Sequence, residues 1–215
     1  MGTGASVPDF LDREIAKTLG GELYSDERFD SSADENHLIT KEQALNAREL
    51  TDCFLSHDWG VDEYERNNHE RVLLIGKGLQ KRGLIVWLDE DRLNGNINDQ
   101  MCSGITNATV VIVFVTKKYI EKVSGKFGAV DNCRLEFGYS GRTKGADKMI
   151  PVIMEDRVRD TKTWVGDVGF VIGGELYIDF VNNNNLDSVC ETLFQRLKTW
   201  ENKVIWKLIT IFISE

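Results

Sequence analysis

From residue 51 onward, short apolar runs alternate with stretches of helical periodicity. Cys53-Phe54-Leu55 reads as a short apolar strand. Val72, Leu73, Ile75 and Leu79 then mark one face of a helix that stops at Lys81-Arg82-Gly83, a cation-and-glycine ending. Residues 84–88 give a second strand, closed by the acidic, glycine-containing loop 89–96, and residues 97–108 a second helix. Residues 109–115 (TVVIVFV) carry almost no polar position. A strand of that kind is covered on both faces, which places it at the centre of a parallel sheet. A helix around Glu136 follows, then strands over 149–154 and 176–180. Ser188-x-x-Glu191 reads as the cap of a last helix through Leu193, Phe194 and Leu197.

Apolar strands separated by helices predict an α/β protein: a flavodoxin-like, doubly wound, parallel five-stranded sheet. Ligands of such sheets bind beyond the carboxyl ends of the strands. The candidates are therefore Ser56, His57, Asp58 and Trp59 after the first strand, Asp89 to Gly95 after the second, and the stretch 116–133 after the third. Within that stretch, Asp131-Asn132-Cys133-Arg134-Leu135-Glu136-Phe137 places Glu136 just inside a helix start. There it is either an acid stabilised by the helix dipole or a carboxylate aimed into the crevice.

Residues 1–50 read as a small helical appendage. Phe10, Leu11, Ile15, Leu19 and Leu23 fall near helical spacing, interrupted by Gly20-Gly21. Residues 32–43 resemble a degenerate EF-hand loop. Ser32, His37 and Gln43 stand where the first aspartate, the turn glycine and the bidentate glutamate belong, so calcium is not expected. Thr40-x-x-Gln43 has instead the form of a capping box. The domain organisation is thus appendage 1–50, α/β domain 51–200 and apolar tail 201–215. The tail is too short for the roughly 18–20 apolar residues of a membrane span.

Composition narrows the partners. The 215 residues carry a net charge of -9, which leaves no basic face for nucleic acid. Cys53, Cys102, Cys133 and Cys190 form no Cys-x-x-Cys pair and follow no secretory leader. Reduced thiols and a cytoplasmic location are therefore expected. Met1-Gly2-Thr3-Gly4-Ala5-Ser6 fits an N-myristoylation signal at Gly2. No polybasic second signal accompanies it, so attachment to membrane would be weak and peripheral.

Three motifs in order resemble the Toll/interleukin receptor homology (TIR) domain over roughly residues 51–200. Asp52-Cys53-Phe54-Leu55-Ser56 resembles its opening strand, and Trp87-Leu88-Asp89 with Leu93-Asn94-Gly95-Asn96-Ile97 its second strand and BB loop. Asn132-Cys133-Arg134-Leu135-Glu136-Phe137 is similar to its Trp-Cys-Leu-x-Glu-Leu helix start. The resemblance implies a signalling domain, of the kind active in innate immunity, that associates with itself or with other TIR domains. One branch of the family cleaves the nicotinamide–ribose bond of NAD with a single glutamate, which matches Glu136 here. NAD is then the substrate, and no resident cofactor or metal is implied. Nicotinamide is already a cationic leaving group, so the reaction asks for stabilisation of positive charge on the ribose rather than for a general acid.

By the same resemblance Ser56, His57, Trp59, Asp89, Arg92, Asn132 and Cys133 line the substrate site. Trp59 offers a stacking face, His57 is the one group for proton work, and Arg92 is either a phosphate partner or a solvated loop charge. The sequence departs from the family at Asn132, where several enzymatic members carry tryptophan. It departs again at Asp58, where many carry a basic residue, and in the insertion-like stretch 125–130. The alternative is a non-enzymatic adaptor acting through homotypic association. A phospho-receiver domain is disfavoured because the third strand ends in Thr116-Lys117. A metal hydrolase built from His57-Asp58 and His69-Glu70 is disfavoured because His69 is expected to open the first helix facing solvent.

Overall fold

The structure, a computed structural model, describes residues 10–14, 39–40, 51–88 and 97–199. Gly2, most of the degenerate calcium-like loop, Asp89, Arg92 and the tail 201–215 lie outside the described residues. In the N-terminal region, β1 (Phe10–Leu11) pairs antiparallel with β2 (Ile39–Thr40), Phe10 opposite Thr40. Phe10 and Leu11 are thus strand, where their spacing had predicted a helical face. The partner that decides this lies nearly 30 residues away, beyond the reach of local periodicity.

Residues Thr51–Lys198 form a compact unit of their own. Its strands are β3 (Thr51–Ser56), β4 (Val86–Trp87), β5 (Ala108–Val115), β6 (Met149–Ile153) and β7 (Ile178–Asp179). They form one parallel sheet in the order β4-β3-β5-β6-β7, the doubly wound arrangement read from the sequence. β5 sits at the centre because seven of its eight residues are buried and need cover on both sides.

Among the described residues six helices flank the sheet: α1 (Asn68–Gln80), α2 (Ile97–Asn107), α3 (Lys117–Val123), α4 (Asn132–Thr143), α5 (Gly166–Ile172) and α6 (186–199). Alternation along the strands sorts the core. Phe54, Val111, Val113 and Val115 join Ile105 of α2, Tyr119 of α3, Phe137 of α4 and Val168 of α5 in one cluster. On the opposite face Gly76 of α1 lies against Leu55 and Leu88, and Cys190 of α6 donates its thiol to the Ile75 carbonyl.

Periodicity missed α3 and α5, each seven residues long, because two turns are too few to establish a repeat. α6 already runs from residue 186, so Ser188 lies inside it and does not cap it. Among the described residues no helix is long and apolar enough to cross a membrane.

Candidate functional site

Strand order reverses beside β3, whose neighbours are β4 on one side and β5 on the other. The carboxyl end of β3 is therefore the switch point where open α/β sheets bind ligands. Ser56 is the last residue of that strand, in register with Val113. Its hydroxyl donates to Glu136 Oε2 at 2.7 Å. The same oxygen lies 2.8 Å from the hydroxyl of Tyr119. Because the Ser56 proton is committed to the carboxylate, Tyr119 is the donor and Ser56 the acceptor in that second bond. Three elements thereby converge on one buried chain: Tyr119 from α3, Ser56 from β3 and Glu136 from α4.

Glu136 is the fifth residue of α4, not part of its first turn. The N-terminus is capped by Asp131, whose carboxylate accepts the Cys133 N–H at 2.9 Å. The helix field fades within one turn, so it is not what holds Glu136 in place. The Ser56 hydroxyl contributes to holding it. The side chain also lines a cleft of about 210 Å³ with Met101, Ile105, Leu135, Tyr139 and Arg142.

The residues after Ser56 form an aromatic stack. His57 Nδ1 donates to the Leu55 carbonyl at 3.2 Å, and its Nε2 meets Nδ1 of His69 at 2.8 Å. Burial pushes the His57 pKa down to about 4, so at neutral pH the ring is uncharged and accepts the His69 Nδ1–H. His69 is therefore buried, where the sequence had it facing solvent. Its place near the start of α1 turns it inward onto His57 rather than out. Trp59 stacks on His69 at 3.9 Å between ring centres yet remains 58% exposed, an aromatic face held flat at the rim. The paired imidazoles are occupied with each other and Glu70 is exposed. Among the described residues no group of three or more His, Cys, Asp or Glu side chains is arranged to hold a metal.

Asp58, the departure from the family pattern, is buried and faces inward. It accepts from Thr116 Oγ1 at 2.5 Å, from Asn68 Nδ2 at 3.2 Å and from the Gly60 N–H at 2.9 Å. Thr116 in turn accepts the Tyr119 N–H at 2.9 Å and caps α3. The carboxylate thus fixes the first turn of α3, and with it the ring of Tyr119. Asn132 is exposed at the start of α4. Cys133 is buried, its thiol directed at the His57 carbonyl at 3.4 Å, and burial pushes its pKa well up, with the nearby Glu136 charge adding to the effect. It packs behind the site as a neutral thiol.

A second polar cluster, which the sequence did not announce, fixes the loop between β3 and α1. Asp62 accepts from Arg66 at 2.7 Å and from the buried Arg71 at 2.9 Å. Arg71 also donates to the carbonyls of Met154, at 3.0 Å, and of Phe180. The buried Glu155 accepts the backbone N–H groups of Glu63 and Lys117 at 2.9 and 2.6 Å. The rim of the site is therefore tied to the ends of β6 and β7. Sequence inspection passed over Tyr119, Asp62, Arg71 and Glu155 because none lies in a local motif.

A profile of the TIR domain matches residues 53–194, most of the chain, and the protein belongs to that family. It is a TIR-domain signalling protein, of a family whose domains associate with one another. Among solved structures it is similar to the TIR domain of the Toll-related receptor TRR-2 from Hydra magnipapillata. The two share 14% identity with a TM-score of 0.46, over 69% of this chain and 98% of that one. No curated protein matches the chain.

Proposed function

We propose that this TIR domain hydrolyses NAD at the bond between nicotinamide and ribose, with Glu136 as the catalytic residue and self-association as the activating step. The observation that carries this reading is the placement of Glu136: a buried carboxylate in a cleft wall at the switch point, oriented by Ser56. As the C1′–N bond breaks, its electron pair leaves with nicotinamide, which becomes neutral. Positive charge develops on the ribose, where a fixed carboxylate lowers the barrier electrostatically. Water then bonds to C1′ and its proton passes to solvent.

A cleft of about 210 Å³ is smaller than the roughly 300–1,000 Å³ of sites that enclose whole small ligands. The described walls thus suit one end of the dinucleotide. In this reading Trp59 offers its exposed face to a ring of the substrate, and Asp89 and Arg92, which fall between β4 and α2 in the sequence, meet the ribose and pyrophosphate.

The test is nicotinamide release from NAD by the purified chain at high concentration or under crowding. Glu136→Gln is expected to lower kcat at least 100-fold, in the range of a lost electrostatic stabiliser. Release that survives the substitution would overturn the mechanism. Absence of release from the parent under every assembling condition would favour the second reading, a non-enzymatic adaptor. That reading has its own support in the exposed apolar residues Val165, Phe170 and Leu176, which offer surface for association.

A further inference from the structure

Tyr119 has no counterpart in the motifs that point to the site, yet its hydroxyl is the far end of the chain of donors that terminates on Glu136. We infer that Tyr119 is a positioning residue: through Ser56 it fixes the direction from which Glu136 is hydrogen-bonded and so aims the carboxylate at the cleft. This inference rests on the catalytic role proposed for Glu136, but its physical core, a three-member coupling, stands independently of activity.

The geometry leaves Ser56 no alternative. Both of its contacts are short, 2.8 Å to Tyr119 and 2.7 Å to Glu136, and the hydroxyl is fully buried. A serine hydroxyl has one proton. Without a donor behind it, that proton rotates among whatever acceptors it can reach. With Tyr119 donating into its lone pair, the rotor is fixed and the bond to Glu136 is strengthened, because successive hydrogen bonds polarise one another.

Tyr119 is suited to be that donor. Its ring is fully buried and meets Phe137 edge-on at 6.3 Å, so the phenol does not swing. Burial, with the nearby Glu136 charge adding, holds its pKa well above the ordinary tyrosine value; it stays a donor at any working pH. Its position is set in turn by Asp58, through Thr116 at the head of α3. The invariant of the device is one proton direction: Tyr119 to Ser56 to Glu136.

The ionisable groups around the carboxylate come from three other sources. Cys133 and Arg142 lie on its own helix, Cys102 on α2, and Asp58 follows β3. None of these donates to Ser56, whose hydroxyl partners among the described residues are Tyr119 and Glu136.

The experiment is a double-mutant cycle on the full chain. Tyr119→Phe removes one buried hydroxyl and keeps the ring; Glu136→Gln removes the charge. Thermal midpoints of the parent, the two single variants and the double variant are compared, then measured again in a Ser56→Ala background. The expected result is non-additivity of about 2–4 °C with Ser56 present, the size for roughly one hydrogen bond in a chain of this length, and its disappearance with Ser56→Ala. Additive midpoints, or coupling that persists without Ser56, would overturn the inference. If Tyr119→Phe does not fold, the pair Ser56→Ala and Glu136→Gln is measured instead, and additivity there overturns it equally.

Kinetics provide the second arm. Tyr119→Phe is expected to lower kcat for NAD cleavage about tenfold with KM changed less than twofold, since the residue orients a catalytic group and touches no substrate. A change confined to KM, or no change, would refute positioning. A chain that never cleaves NAD but shows the Ser56-dependent coupling would defeat the proposed function and leave the three-member coupling standing.

Discussion

At the scale of single residues, what decides the site is which polar group finds which partner. Glu136 was legible in the sequence as a residue, but its physical setting was not. Helix-start spacing pointed to the dipole, whereas the fold places it a turn too deep and supplies the Ser56 hydroxyl instead. Asp58 shows the opposite case: a departure from the family pattern that the fold uses as a buried anchor for α3. His57 gives a prediction with a definite sign. Its folded pKa of about 4 lies below the roughly 6.5 of the unfolded chain, so between those values the unfolded state binds more protons. The stability it contributes is full above pH 6.5 and is lost as pH falls toward 4, by about 3 kcal/mol in total. Urea unfolding at pH 7, 5 and 4 is expected to show that loss in the parent and a shallower one in His57→Asn. Equal slopes would mean the imidazole is not buried neutral.

At the scale of elements, long apolar strands were readable because a two-sided environment admits few polar residues. Short helices and the appendage's strand pair were not, since seven residues hold no full pattern and pairing depends on distant partners. Packing between α2 and β4 shows a constraint of the same non-local kind. The indole of Trp87 stacks on Phe54 at 4.4 Å and lies against Gly104, where an added Cβ would stand 2.5 Å from the ring. Helix propensity alone would make Gly104→Ala favourable by about 1 kcal/mol. Overpacking a rigid indole costs about 1–3 kcal/mol, so the clash wins. A thermal melt of Gly104→Ala is expected to show a lowered midpoint; an unchanged or raised midpoint would mean the helix moves away freely. Because α2 also lines the Glu136 cleft through Met101 and Ile105, its seating is part of the site's shape.

At the scale of the whole α/β unit, the Asp62–Arg71 pair connects the loop after β3 to the carbonyl ends of the opposite half of the sheet. Arg71 is buried, which pushes its pKa down to about 10, and Asp62 is its charged partner. Burial by itself would raise the Asp62 pKa; hydrogen bonds from Arg66 and the loop backbone outweigh it and hold the pKa below the usual carboxylate range. Asp62→Ala would leave a buried guanidinium without its anion. The general cost of such a break is about 3–5 kcal/mol, and the carbonyl acceptors Arg71 retains place it near the lower end. Chemical denaturation of Asp62→Ala checks this; a loss under about 1 kcal/mol would show the pair to be dispensable. The pH sign follows from the depressed pKa: the pair's contribution is present above the unfolded carboxylate pKa, about 3.9, and disappears as pH falls through the lower folded value.

The sequence by itself determined the layers of this protein. A buried parallel strand has to be apolar throughout, a flanking helix has to be apolar on one face, and those two periods are written locally. It also marked Glu136, Ser56 and His57, because ligand-facing residues of such sheets cluster at the carboxyl ends of strands. Tertiary structure alone decided which of them meet. Tyr119 and Glu136 lie 17 positions apart and Ser56 a further 63 before Tyr119, so nothing short of the assembled sheet brings their three oxygens into one line. The same holds for the inward turn of His69 and the burial of Asp58. Hydrogen bonds are satisfied in space, and spacing along the chain constrains them only within a turn or a strand.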